Sequence, residues 1–216
     1  MEAKKYSLKT HEGRGKKVCL LNRDMLKLAR ELRYNVPKLA VLLHNFGVGE
    51  QGLAIGGSPQ SHSQEAIFGH SDARATVDTS DCQLLLGKVT FGFDTTTGER
   101  VDPWSIDLAT AAAIKLPKHR QLIIDQTMQS DYHSHVDRAA MRRKIRLLLT
   151  AASNYDIFIT GAWGMGPFGN PKYGLIQLWN DCLEEFNIKT HILFCVTPGD
   201  WLLFKKYMVY DHVVEV

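Results

Sequence analysis

The stretch DIFITGAWGMGPFGNPKYGLIQLWNDCLEEF, Asp156 to Phe186, decides how the chain is read. Asp156 to Thr160 is a short apolar run of strand type, and Gly161 to Pro171 is a glycine-rich loop. Tyr173 to Phe186 then sets Leu175, Ile176, Leu178, Trp179 and Leu183 at helical spacing. A strand that leads through glycines into a helix turns backbone N–H groups toward one point, and a phosphate is the natural ligand of such a loop. Gly164, Gly166 and Gly169 also spell GxGxxG. The motif alone leaves three readings open: a phosphate loop, a Rossmann-type dinucleotide site, and a glycine turn with a purely structural role. The Rossmann reading asks for the motif in the opening unit and an acidic residue at the end of the next strand. Here the next strand ends Cys195-Val196-Thr197, and Pro167 suits a broad loop better than a tight turn.

Working outward, the same alternation recurs. Lys17 to Leu21 reads as a strand, Arg23 to Arg33 as a helix that Pro37 ends, and Leu39 to His44 as a strand covered on both faces. Lys88 to Phe93, Ile106 to Ala113 and Gln121 to Ile124 read as further strands, Thr95 to Gly98 as a turn, and Gln64 to Phe68 as a short helix. Asp137 to Ala152 is a helix with Ala140, Met141, Ile145, Leu148 and Leu149 on one face, and Lys189 to Val196 is an apolar strand. Strands with near-continuous apolar interiors, interleaved with helices, predict an α/β fold: a three-layer α/β/α sandwich. Residues 1–16 are polar and basic and read as a flexible arm, which leaves 17–216 as a single domain.

Composition excludes several classes. With 44% hydrophobic and 23% charged residues the chain is an ordinary globular one. No apolar run approaches the roughly 18 residues of a membrane span, and the basic start has no apolar segment behind it. A net charge of +3 is too small to point to nucleic acid. Cys19, Cys82, Cys182 and Cys195 lie far apart without a C-x-x-C, which fits reduced thiols in an intracellular protein.

Two further constellations bear on chemistry. Residues 46–63, FGVGEQGLAIGGSPQSHS, hold five glycines and no periodicity, and so form a long loop of the kind that is usually functional. It starts beside Asn45 at the end of a strand, contains Gly56 and Gly57, and leads to Gln64 and Glu65. Ligands of open α/β sheets sit beyond the carboxyl ends of the strands, where this loop and the Gly161 to Pro171 loop would enclose a diphosphate between them. Bland readings stand beside these: Glu65 as a first-turn acid near a helix N-terminus, Asn45 as a strand-end cap. The second constellation is His133-Ser134-His135-Val136-Asp137, whose HxHxD order resembles metallohydrolase sites. That pattern continues with a histidine where this chain has Arg138, and Asp137 reads equally as a helix N-cap, so no metal is expected.

GAWGMGPFGNP after an apolar strand, preceded by MRRKIRLLLTAA, closely resembles the C-terminal signature of the microbial-type poly(ADP-ribose) glycohydrolases, a branch of the macrodomain fold. RDMLKLARELRYNVPKLAVLLHNF and VTFGFDTTTGERVDPWSIDLATAAA resemble that family's first helix and strand and its middle strands. IGGSPQSHSQEA stands where the family carries its catalytic loop. The resemblance runs from about Lys17 to Phe204. It implies a macrodomain-like sandwich with a mixed, mostly parallel sheet, no cofactor, and ADP-ribose as ligand, free or carried on a protein or polymer. By the same resemblance, Gly161, Gly164, Met165 and Gly166 would wrap the diphosphate, and Phe168 would pack on the distal ribose or adenine. Asn45, Gly56 and Gly57 would line the other side near the distal ribose, and Gln64 and Glu65 would approach its hydroxyls and the scissile bond.

The departures are as informative. Ser58 replaces the third glycine of the family's loop, Ala66 replaces the second glutamate, and Asn45-Phe46 continues as Gly47-Val48-Gly49 without the family's following asparagine. In the family that second glutamate is the general acid, and alanine has no proton to give. The resemblance therefore implies ADP-ribose recognition with hydrolysis weakened or altered, and the alternative is a reader or sequestering module without turnover.

Overall fold

The computed structural model describes residues 17–46, 85–94, 97–116, 131–166 and 168–214. The arm at 1–16, most of the long loop with Gly56 and Gly57, the Gln64 to Phe68 helix with Glu65 and Ala66, and the Gln121 to Ile124 strand lie outside the described residues.

Among the described residues seven strands form one sheet: β1 (Val18–Leu21), β2 (Val41–Asn45), β3 (Leu85–Phe93), β4 (Arg100–Thr110), β5 (Ile157–Gly161), β6 (His191–Cys195) and β7 (His212–Val214). Their order is β3-β4-β2-β5-β6-β1-β7. Only the β3–β4 hairpin is antiparallel; the other neighbours run parallel, giving the mixed, mostly parallel sheet. The central strands β2 and β5 are buried at every residue, as continuous apolar runs require when helices cover both faces.

The four described helices are α1 (Met25–Asn35), α2 (His135–Ala152), α3 (Lys172–Glu185) and α4 (Pro198–Tyr207). Asp24 starts α1 by accepting from the Leu26 and Lys27 N–H groups at 2.9 and 2.8 Å. Side-chain alternation along the strands sorts the core into two layers. Leu42, Phe158, Ile192 and Phe194 pack with Met141, Ile145 and Leu148 of α2, Leu178 and Trp179 of α3 and Phe204 of α4. Val41, Leu43, Ile157 and Ile159 pack on the other face with Met25, Leu26 and Ala29 of α1 and with Phe91, Trp104 and Leu108 of the hairpin. The result is the expected three-layer sandwich. No described helix is long and apolar enough to cross a membrane.

Several boundaries differ from the sequence reading. Asp137 is not the cap of α2: Ser134 is, its hydroxyl accepting from the Asp137 N–H at 3.4 Å, and Asp137 falls in the first turn, where its charge favours the helix dipole. Strand β4 begins at Arg100 rather than Ile106 and ends at Thr110 rather than Ala113. Pro103, which has no N–H for a ladder, lies where the β3–β4 register shifts between Trp104 and Arg100, so the proline hides a strand that bends around it. Helix α4 (Pro198–Tyr207) and the short edge strand β7 (His212–Val214) lie beyond what the sequence pattern marks. Two of the three β7 residues are exposed, so no periodicity marks them.

Candidate functional site at the carboxyl edge of β2 and β5

Strands β2 and β5 are neighbours, yet the chain leaves them in opposite directions: after β2 the next described strand is β3 at one edge, and after β5 the chain returns through α3 to β6 on the other side. That is a topological switch point, where open α/β sheets leave a crevice beyond the strand ends. Asn45 and Gly161 end these two strands, and Thr110 ends β4 in register with Asn45.

The loop from Gly161 to Asn170 is internally braced. Trp163 N–H donates to Gly161 O at 2.8 Å, Gly169 N–H to Gly166 O at 2.9 Å, and Asn170 N–H to Gly164 O at 3.2 Å. Three of its glycines have reasons inside the protein. A Cβ on Gly161 would stand 2.5 Å from Cys195 O. Gly164 has φ +79° and its Cβ would meet Ala113 Cβ at 2.8 Å, and Gly169 has φ +68°. Gly166 is different: its φ is not positive, and a Cβ there would meet no atom of the described residues within 4 Å. Among the described residues no acceptor bonds the N–H groups of Gly164 or Gly166.

The other residues singled out from sequence are placed as follows. Met165 is buried in the core and its N–H donates to Ala162 O at 3.4 Å, while Phe168 is half-buried against the same core. Asn45 is 1% exposed; its Nδ2 donates to Thr110 Oγ1 at 3.2 Å, and its Oδ1 has no partner among the described residues. An unpaired buried acceptor costs about 1 to 3 kcal/mol, so it marks a place where another donor belongs. His133 and His135 flank the Ser134 cap, and no three His, Cys, Asp or Glu side chains gather as a metal group among the described residues.

Sequence reading missed the residues that hold this edge together. Asn170 Nδ2 donates to Ile114 O at 2.8 Å and to Gly164 O at 3.1 Å, and its Oδ1 accepts from the Tyr132 hydroxyl at 3.0 Å. One side chain thus ties the glycine loop, the segment after β4 and the entry to α2. Trp163 Nε1 donates to Phe46 O at 3.3 Å, linking the exits of β5 and β2. His44 stands edge-on to both Phe46 and Trp163, with ring centroids 5.0 Å away in each case. A histidine within an apolar strand and an asparagine before a helix-starting proline were the available signals.

Burial pushes the His44 imidazole down to about 3, opposed weakly by its contact with the Ala111 carbonyl. That carbonyl only accepts, so Nε2 carries the proton at 3.4 Å from Ala111 O, and Nδ1 accepts from the Thr160 hydroxyl at 2.9 Å. The folded value lies below the ordinary 6.5, so the unfolded chain takes up the proton first. The associated stability is intact above pH 6.5 and is lost as the pH falls toward 3. At pH 5 the loss should be about 2 kcal/mol. Denaturant titrations of wild type and His44→Gln at neutral pH and at about pH 5 check it: the wild type should lose that much more than the variant, and equal losses would contradict the assignment. Burial also pushes the Cys19 and Cys182 thiols up to about 11, which keeps them un-ionised at neutral pH.

No family model matches the chain, and no curated protein matches it in sequence. Solved structures do match. A poly(ADP-ribose) glycohydrolase from Deinococcus radiodurans in complex with ADP-ribose superposes with a TM-score of 0.63 at 19% identity, over 87% of this chain and 81% of that one. The glycohydrolase from Thermomonospora curvata gives 0.62 at 17% identity, over 86% and 72% of the two chains. The same enzyme bound to the inhibitor ADP-HPD gives 0.56 at 17% identity, over 84% and 73%. The fold of this chain is therefore the macrodomain-like fold of the microbial poly(ADP-ribose) glycohydrolases.

Proposed function

We propose that this chain binds ADP-ribose, free or attached to a protein or polymer, in the crevice between the exits of β2 and β5. Gly166 carries the proposal. Among the described residues nothing gives a reason for a glycine there: the N–H has no acceptor and a Cβ would meet no atom within 4 Å. A diphosphate held against the backbone supplies that reason. Gly161 and Gly164 shape the loop, and Phe168 and Asn45 supply an apolar face and a polar acceptor for the sugar and base. By resemblance, Gly56, Gly57, Gln64 and Glu65 complete the site from the long loop. The crystallised relatives with ADP-ribose and with ADP-HPD support the choice of ligand.

Hydrolysis of ADP-ribosyl linkages is weakened or altered in this reading. The reaction needs a proton for the leaving oxygen while a positively charged ribosyl centre develops and water attacks. Ala66 has no proton to give, and Glu65 stands alone beside it. Ala66 equally favours a second reading, a reader or sequestering module without turnover.

Thermal unfolding tests the binding claim. A ligand specific to the folded state stabilises it by about 2.7 kcal/mol at a hundred times its Kd. Millimolar ADP-ribose should raise the midpoint by several degrees. An unchanged midpoint, with no saturable binding by a second method, would overturn the proposal.

A further inference from the structure

Thr110 ends β4 directly opposite Asn45 of β2 and is 4% exposed. The two side chains share the sheet face that carries Leu43 and Leu108, at the carboxyl edge where Gly161 ends the neighbouring strand. Asn45 Nδ2 donates to Thr110 Oγ1 at 3.2 Å, the only hydrogen bond of either side chain among the described residues. Asn45 Oδ1 is buried and has no partner among the described residues. With the nitrogen tied to β4, the amide plane is set and the oxygen has a fixed direction. A valine would suit the strand end as well, so what the hydroxyl adds among the described residues is its hold on the Asn45 amide.

We infer that Thr110 is a positioning residue: its hydroxyl locks the Asn45 amide so that Oδ1 accepts a hydrogen bond from a hydroxyl or N–H donor on the ligand. This rests on the ADP-ribose reading, whose ligand carries ribose hydroxyls of that kind. Removing the hydroxyl frees the amide to rotate, and the preset acceptor is lost although Asn45 is still present.

Calorimetric titration of ADP-ribose into wild type, Thr110→Val, Thr110→Ser, Asn45→Ala and the Thr110→Val/Asn45→Ala double variant tests the inference. Thr110→Val should weaken binding about five- to tenfold, the worth of one hydrogen bond. Thr110→Ser, which keeps the hydroxyl, should stay within about twofold of wild type. Because Thr110 acts through Asn45, the double variant should bind no more weakly than Asn45→Ala alone. Should Thr110→Val not fold, Thr110→Ala carries the same comparison. Wild-type affinity in Thr110→Val, a Thr110→Ser variant as weak as Thr110→Val, or losses that add in full in the double variant would each overturn the inference and leave the ADP-ribose reading standing. A wild type that does not bind ADP-ribose overturns both.

Discussion

Gly166→Val should abolish ADP-ribose binding and leave the unfolding midpoint near that of the wild type. A Cβ at this position meets no atom of the described residues within 4 Å and the backbone does not adopt a positive φ, so the folded chain should accept a side chain without strain. What a side chain displaces is whatever lies against the Gly166 N–H, and a diphosphate that must touch the backbone has no second way in. Loss should exceed a hundredfold, about 3 kcal/mol or more. Gly161→Ala provides the opposite control. Its Cβ would sit 2.5 Å from the Cys195 carbonyl oxygen, an atom held by the β5–β6 ladder, so something must shift. Overpacking of that kind costs roughly 1 to 3 kcal/mol of stability. Denaturant titration and calorimetry on both variants separate the cases: Gly161→Ala loses stability, Gly166→Val loses ligand. If Gly166→Val binds as the wild type does, the ligand does not approach this loop.

Ala66→Glu should raise the rate of poly(ADP-ribose) hydrolysis, and the wild type should be slow or inactive. A general acid within hydrogen-bond reach of the leaving oxygen is typically worth about 10² to 10⁴ in rate. Neighbouring residues point in different directions in a loop or a first helical turn, so Glu65 is not expected to do the work of a carboxyl at position 66. Restoring a carboxyl at 66 recovers part of that factor if the rest of the pocket is intact, and Glu65→Ala should remove residual turnover and weaken ligand orientation. Initial rates of ADP-ribose release from polymer give the readout. A wild type that already hydrolyses polymer rapidly, with Glu65→Ala dead and Ala66→Glu no faster, would show that Glu65 is itself the acid.

The layered fold was legible because its central strands are unusually plain. VLLHN of β2 and IFITG of β5 are apolar on both faces, and the glycine loop between β5 and α3 announces a turn without any tertiary knowledge. Elements at the edges were harder to read: β7 is short and largely exposed, and β4 carries Pro103 through a register shift, so neither shows the period-two pattern of a half-buried strand. At the site, sequence pointed to the glycines but not to their separate reasons. Gly161 and Gly164 answer to Cys195, Ala113 and Asn170, contacts made across the sheet, between loops and within one, whereas Gly166 answers to no contact among the described residues. Asn170, Tyr132 and Thr110 meet their partners across 38, 38 and 65 positions of sequence, beyond the reach of local pattern. The HxHxD run illustrates the converse: its serine caps α2, a role that sequence reading gave to Asp137 three residues on.

ADP-ribose recognition is put to the test by calorimetry of the wild-type chain with ADP-ribose, AMP and NAD in parallel. ADP-ribose offers the diphosphate together with a free terminal ribose; AMP lacks the second phosphate and that ribose, and NAD carries nicotinamide on it. Saturable one-to-one binding of ADP-ribose is expected, with AMP and NAD each at least about tenfold weaker, a difference of about 1.4 kcal/mol. No detectable heat or saturation with ADP-ribose at millimolar concentration, or affinity for AMP equal to that for ADP-ribose, would contradict it.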